Sequence, residues 1–572
     1  MILQALCSYY DRKAGDPESG IAAEGWESKE IPYVIVLDEA GKPVDIQCTI
    51  EGSGKAKRTK KFVVPQGAKK TSGIAANLMW DNPEYAIGVT LKKDGDKKHA
   101  AFREKIDALG EIDDVGFRAL KTFLAMPLKE KTTALEAFPL WETLLKSSAN
   151  VAFKLAGEVG LICSASAVKA AITNNVKVTE DAETVCLVSG QRTSIATLHP
   201  AIMGVWGGKP SGTNIVSFNC DSFCSHGRKK GENAPVGKSV TFAYTTALNT
   251  LLDKDSPNRM QVGEASTVFW GAEENRLEKQ FPSLFMEPPK DDPDRGVRAV
   301  RKLLESPHDG ALTHNEGKKR FFVLGLSPNA ARLAIRFWIC STVGEMEGNI
   351  AKHFQDLEMV HPEYESGFLS VFRILVSTAV QGKSENIPPN LEGCLMHAIL
   401  QGIPYPRTLL LAVLNRCRAE QQVTFARASI LKACLNRFRD TKNNNERKIQ
   451  VAIDLENTNI GYRLGRLFAT LEKIQLEANL RRINATIRDR FYGAASSTPA
   501  NVFPNLVRLS KHHLGKLDDK FRIYFEILLQ EICGEINDFP KHLSMEDQGR
   551  FAIGYYHQMQ DFFTKKSDKE TN

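Results

Sequence analysis

A few clusters in the chain combine side chains suited to catalysis or metal binding. The stretch 231–239 reads GENAPVGKS and invites comparison with a phosphate-binding loop. That loop needs four residues between its glycines, whereas here there are five, Pro235 interrupts, and the preceding HGRKK is not a strand. GSGKA at Gly52 fails as well, because no Ser or Thr follows Lys55. Cys220, Cys224 and His226 lie close together, but a structural zinc site takes four ligands, usually in close pairs, and no second pair is nearby. His308-Asp309 is a single dipeptide of metal-capable groups, whereas a metal nuclease needs several converging on one point. His199 precedes Pro200 at a strand end and reads as structural rather than as a base. Neither H-E-x-x-H nor G-x-S-x-G occurs. No catalytic constellation, cofactor site or metal site is therefore expected, and the chain reads as a non-enzyme.

Charge points elsewhere. Residues 401–500 hold 17 Lys and Arg against 8 Asp and Glu, a surplus of nine, while the whole chain is only +7. Within this span, Leu464, Leu467, Phe468, Leu471 and Ile474 recur at helical spacing. Arg463, Arg466 and Lys473 fall on another face of that helix. Arg481, Arg482, Arg488 and Arg490 follow on a second helix that ends near Gly493. A solvated helix pair would show the same residues, but their density suggests a polyanion, most simply a nucleic-acid backbone. A second basic stretch, EGSGKAKRTKKFVVP, enters a strand with Lys55, Lys57, Arg58, Lys60 and Lys61, followed by Lys69 and Lys70. It reads either as a phosphate-gripping loop or as a solvated hairpin tip.

The elements that position these residues divide into three regions. MILQALCSYYDR forms an amphipathic helix, and residues 31–38 a buried strand. Residues 68–82 read as a polar turn leading into a short helix, and 92–107 as a charged helix. From Val185, strands joined by Gly-rich loops lead to the helix SVTFAYTTALNTLL. KRFFVLGLS is a buried strand, and NAARLAIRFW is taken as the helix after it. Residues 381–390, QGKSENIPPN, read as a linker, and everything beyond is helical. The fold class is α+β: mixed α/β N-terminal (1–130) and middle (131–385) regions followed by an all-α helical bundle (386–572).

Length and composition are those of a soluble protein. The 572 residues are 42% hydrophobic and 25% charged, with no apolar run long enough to span a bilayer. The N-terminus lacks a basic stretch before its apolar residues and a small-residue cleavage pattern, so no signal peptide is expected. Most of the eleven scattered cysteines lie in apolar runs and read as reduced core residues of a cytoplasmic protein.

Nine stretches spread over nearly the whole chain, and in a fixed order, carry a resemblance: MILQALCSYYDR, KKTSGIAANLMWDN, SGQRTSIATLHPAIMGVWGG, SGTNIVSFN, NAPVG with FAYTTALNTLL, FFVLGLSPNAARLAIRFW, YRLGRLFATLEKIQ, INATIRDRFYGAASSTPANVFP and GRFAIGYYHQMQ. Together they resemble the large subunit of the type I-C CRISPR Cascade, the RNA-guided antiviral surveillance complex. Two positions depart from the family's usual pattern: Lys69-Lys70 stand in place of Lys-Arg, and Lys209-Pro210 in place of Gln-Ser. The resemblance implies a non-catalytic subunit beside the 5′ end of the crRNA. Such a subunit reads the PAM of double-stranded DNA, helps open the duplex into an R-loop, and presents the complex to a recruited helicase-nuclease. Its implied partners are the crRNA-containing backbone and 5′-end subunits, small subunits resembling its own C-terminal region, and target DNA, with no membrane. On this basis Asn77, Gln191, Asn214 and Asn219 are the candidates for reading base edges. Lys55, Lys57, Arg58, Lys60, Lys61, Lys69 and Lys70 would grip duplex phosphates. Arg463, Arg466, Lys473, Arg481, Arg482, Arg488 and Arg490 would line the displaced strand, with stacking on Phe491 or Tyr492.

Two alternatives remain open. One is a metal-dependent nuclease or nucleotide hydrolase built on 231–239 or His308-Asp309. The other is a free-standing RNA- or single-strand-binding protein using the same basic helices without partners.

Overall fold

The computed structural model describes residues 1–563 except 17–18, 53–57, 69–72, 92–93, 178–183, 293, 306–313, 331, 389, 443–446 and 481. The chain forms two compact units, Met1–Ile202 with Asn214–Thr250, and Met203–Thr213 with Leu251–Asn572.

The first unit is built on the strand Tyr33–Leu37, whose five residues are all buried. A run apolar on both faces must be covered on both faces. It pairs antiparallel with Pro43–Cys48 on one side and parallel with Val151–Leu155 on the other, and Trp80–Asp81 adds antiparallel beyond that. A parallel neighbour needs a long crossover, and the helices between residues 95 and 147 supply it. One of them, Val115–Ala125, sets Phe117, Leu120 and Phe123 into the core with Phe153. An expected domain boundary near residue 130 would cut this sheet in two. Residues 68–82 also differ from expectation: Trp80–Asp81 is a strand, and only Pro83–Ala86, capped by Asn82, is helical.

The second unit opens with an antiparallel meander of four strands, Arg259–Val262, Ala265–Gly271, Arg320–Asn329 and Arg332–Thr342. The last of these corrects the helix expected at NAARLAIRFW. Phe337 and Ile339 alternate into the core, and β-branched and aromatic side chains favour the pleated form. Ala330, at a left-handed φ of 54°, turns the chain back onto its neighbour. The next helix instead begins after Thr342, which forms a capping box with Glu345. Residues 381–390 are not a linker between units, since one continuous apolar core runs from Met260 to Tyr556 on both sides of them.

The C-terminal helices are Leu391–Leu400, Arg407–Glu420, Phe425–Lys442, Ile460–Ala478, Ile487–Ser497, Phe503–Leu514, Asp519–Cys533 and Met545–Phe563. Ile460–Ala478 lies at their centre against Met545–Phe563. The two backbones approach so closely that a Cβ on Gly465 would stand 2.0 Å from the Phe551 carbonyl oxygen, and one on Gly554 2.1 Å from that of Tyr462. No described helix is long and apolar enough to cross a membrane.

Candidate nucleic-acid interface

In the first unit, a short hairpin of Thr184–Val185 and Arg192–Thr193 carries a tight turn. The turn is closed by backbone bonds from Cys186 to Gln191 and from Gly190 to Cys186, both 2.9 Å, which leaves the Gln191 side chain exposed at its tip. Beneath it the Cys186 thiol receives N–H bonds from Gly237 at 3.2 Å and Val188 at 3.4 Å. Burial raises the thiol's pKa, but bonds from Gly237, Ser189 and Val188 outweigh it, so the net shift is downward.

The four amides expected to read base edges divide evenly. Asn77 is buried, its Oδ1 accepting the Ala68 N–H at 2.9 Å while its own N–H donates to Asp81. Asn214 donates from Nδ2 to the carbonyls of His199 (3.0 Å) and Pro200 (3.2 Å). Both therefore hold loop backbone rather than face a partner, a correction to their expected role. Gln191 and Asn219 are exposed. His199 is buried against Tyr244, its Nδ1 2.5 Å from the hydroxyl, as expected of a structural histidine.

Of the expected phosphate-binding residues, Arg58 and Lys61 are exposed on strands, and Lys60 is exposed with its Nζ 5.3 Å from the centre of the Phe62 ring. Lys55, Lys57, Lys69 and Lys70 lie outside the described residues, as do His308 and Asp309.

A basic feature that was not singled out from the sequence lies at residues 225–233. Arg228, Lys229 and Lys230 are consecutive and exposed, and none pairs with a carboxylate among the described residues. Their loop is held by its own polar atoms. Asn233 accepts the Ser225 N–H at 3.0 Å and donates to the carbonyls of Arg228 (3.3 Å) and Lys230 (3.0 Å). Glu232 accepts the Lys229 N–H at 2.7 Å. Gly231 anchors the base by donating to Thr197, and a Cβ there would lie 2.2 Å from the Ala196 carbonyl oxygen. The signal available in sequence was local: three cations between Gly227 and Asn233, residue types that tolerate left-handed backbone.

Backbone bonds also engage much of the segment 231–239. The N–H groups of Gly231, Glu232, Ala234, Gly237 and Lys238 donate to Thr197, Lys229, Gly231, Cys186 and Ser194. These five are therefore not free to cradle a phosphate. Among the described residues no three His, Cys, Asp or Glu side chains are grouped to hold a metal ion.

The cations expected on the C-terminal helices are mostly engaged inside the bundle. Arg463 is buried and donates to the carbonyls of Asn457 (3.0 Å), Glu531 (3.3 Å) and Ile532 (3.4 Å). Arg466 is fully buried, its Nε on Gln558 at 3.0 Å and its Nη2 on Glu531 at 2.9 Å. Lys473 pairs with Glu477 at 2.7 Å and lies over the Phe562 and Phe563 rings. Arg488 is half-buried between Glu472 and Asp489. Arg463 and Arg466 are therefore withdrawn as strand-lining residues. The face that looked polar in sequence is covered by the helices Asp519–Cys533 and Met545–Phe563. Arg482 and Arg490 are exposed, and Arg481 lies outside the described residues. Tyr492 is buried among Phe468, Phe551 and Tyr555 and is unavailable for stacking, whereas Phe491 is half-buried.

Residues 6–563 match the sequence model of the CRISPR-associated protein family Cas_Csd1. The chain belongs to the Cas_Csd1 family. The family is that of the type I-C Cascade large subunit, so the resemblance drawn from nine stretches holds over nearly the full length. No curated protein matches the chain. Among the residues singled out above, those exposed and suited to a polyanion are Gln191, Asn219, Arg58, Lys60, Lys61 and the clasped loop 225–233 in the first unit, and Arg482 and Arg490 in the second.

Proposed function

We propose that this CRISPR-associated Cascade subunit recognises target DNA without catalysing any reaction on it. It reads the PAM beside the target, helps open the duplex, holds the displaced strand and supports recruitment of the helicase-nuclease. Base pairing with the crRNA reads the target sequence, which leaves the protein to read the short flanking motif and grip backbone. The observation that carries this reading is the clasped loop 225–233. Like charges side by side repel, and an ordered loop that holds Arg228, Lys229 and Lys230 exposed, with no carboxylate partner among the described residues, suits an extended polyanion. Base-edge contacts from Gln191 or Asn219 would contribute discrimination of roughly 1–3 kcal/mol per good bidentate pair.

The test uses guide-matched duplexes that differ only in the flanking trinucleotide, bound by the assembled complex with and without this chain. A preference for one flank that requires the chain, and that weakens in Gln191→Ala or Asn219→Ala, is the expected result. Equal affinity for every flank overturns the recognition role. Metal-dependent cleavage or nucleotide hydrolysis by the purified chain overturns the non-catalytic part, and tight single-strand binding without partners or crRNA would favour a free-standing binder.

A further inference from the structure

In the second unit, a groove between the strand Arg332–Thr342 and the helix Leu391–Leu400 is open over about 290 Å³. This is close to the lower end of the roughly 300–1,000 Å³ typical of sites for small ligands. Its strand wall is irregular. Phe337 pairs with Gly325 and Ile335 with Leu326, so Arg336 is the extra residue of a β-bulge. A bulge re-aims a side chain. Here Ile335 and Arg336, which regular pleating would send to opposite faces, both line the groove. Arg336 is exposed, and its Nε donates to the hydroxyl of buried Ser327 at 2.6 Å. That bond fixes the root of the guanidinium, while neither Nη has an acceptor among the described residues. On the helix wall, Glu392 is 9% exposed. Its Oε1 accepts the Glu264 N–H at a long 3.4 Å, and its Oε2 has no partner among the described residues. A carboxylate so buried and so incompletely bonded costs free energy unless something completes it. Arg336 and Glu392 share the groove but form no ion pair with each other. The strand Arg332–Thr342 is also the last of its sheet. Among the described residues, 333–341 make no backbone hydrogen bond except to Arg320–Asn329. Such an edge offers unused N–H and C=O groups to an added chain.

We infer that this groove takes the C-terminal end of a partner polypeptide, with its α-carboxylate on Arg336, a terminal Lys or Arg side chain on Glu392, and its backbone along the strand edge. A guanidinium presents paired N–H groups that match a carboxylate. Glu392 lacks a cation, and Arg336 does not supply one. A ligand carrying both charges satisfies both residues, whereas a phosphate or a polyanion would bring like charge to Glu392. A free amino acid also carries both charges, but it cannot pair along a strand edge as an extended chain does. None of these residues belongs to the set offered above for DNA, so the assignment does not depend on DNA recognition.

The test is fluorescence anisotropy of the full chain with the N-terminally labelled peptide Ser-Gly-Val-Thr-Val-Lys, as free acid and as C-terminal amide, and with the same peptide ending in Glu. Wild type is compared with Arg336→Gln and Glu392→Gln, and thermal unfolding checks that each variant is folded. Wild type should bind the free acid roughly tenfold more tightly than the amide, and the Lys-ended peptide roughly tenfold more tightly than the Glu-ended one. Arg336→Gln should abolish the preference for the acid while keeping that for Lys, and Glu392→Gln should do the reverse. A merely structural role would move Tm without separating the two preferences. Arg336 is exposed, so its variant still decides the matter if Glu392→Gln proves unstable. No peptide binding, equal affinity of wild type for acid and amide, or an unchanged acid preference in Arg336→Gln each overturns the inference. Competition by free lysine equal to that of the unlabelled peptide overturns it as well, since a single zwitterion would then suffice.

Discussion

Arg466 separates a packing role from a DNA-binding role through two substitutions. Its guanidinium is fully buried and makes two charge-assisted hydrogen bonds, to Gln558 at 3.0 Å and Glu531 at 2.9 Å. Such bonds contribute roughly 1.5–3 kcal/mol each. The Glu531 side chain is 44% exposed and regains water when its partner leaves, so its bond counts at the low end. Arg466→Ala also leaves a cavity beside the fully buried Gln558. The expected loss is roughly 3 kcal/mol, which at ~2 °C per kcal/mol for a unit of this size lowers Tm by about 6 °C. Arg466→Met refills most of the volume but, like Ala, leaves the buried Gln558 and Glu531 without their donor. Its Tm should fall by less than that of Ala, the difference being the cavity. The assay is calorimetry of both variants alongside the salt dependence of DNA binding. If Arg466 instead faced DNA, Ala and Met would be equivalent, since both lose the charge. Each would flatten the slope of log K against log salt by roughly 0.7–0.9 while leaving Tm unchanged. That pattern would refute the buried placement and the reasoning built on it.

Replacing Arg228, Lys229 and Lys230 together by Gln should flatten the salt slope for duplex binding by roughly 2–3, with Tm within 2 °C of wild type. Asn233→Ala keeps all three charges but removes the clasp, so affinity should fall while the salt slope changes by less than in the triple variant. Gly465→Ala must push apart two helix backbones and should cost roughly 3 kcal/mol or more by thermal unfolding. Gly493→Ala is its control, in a helix where an added Cβ meets nothing within 4 Å, and should be neutral or stabilising. His353 and His557 are buried, and burial lowers both from the ordinary 6.5 to about 3. The folded state therefore binds fewer protons than the unfolded state between pH 3 and 6.5, and stability falls as pH drops through that window. Each contributes about 1.4 kcal/mol per pH unit there, so His353→Gln should reduce the slope of unfolding free energy against pH by that amount between pH 4 and 6. An unchanged slope would refute the neutral buried imidazole.

How far the sequence reveals the molecule depends on the range of the interaction involved. The helix at the N-terminus, the strand within residues 31–38, the α+β class and the helical C-terminal region follow from local periodicity, and all are present. NAARLAIRFW reads as a helix in sequence but is a strand, because pairing with Arg320–Asn329, which local spacing does not reveal, decides its form. The spacing of 231–239 departs from that of a phosphate loop, and five of its backbone N–H groups already have acceptors. Asn77 and Asn214 could not be separated from Gln191 and Asn219 by sequence, because an amide that holds a loop and one that faces solvent occupy the same kind of stretch.

Family membership was determined by the sequence by itself, since nine ordered stretches do not depend on where any side chain points. The direction each charge faces was decided only by the tertiary structure. A hydrophobic stripe identifies one buried face of a helix, but says nothing about how many neighbours cover the others. Ile460–Ala478 is enclosed by Asp519–Cys533 and Met545–Phe563, elements about 40 to 100 residues later in the chain. Its glycines admit Met545–Phe563 at backbone contact, and Arg463 and Arg466 become hydrogen-bond donors inside the protein, whereas Arg490 and Arg228, Lys229 and Lys230 stay exposed.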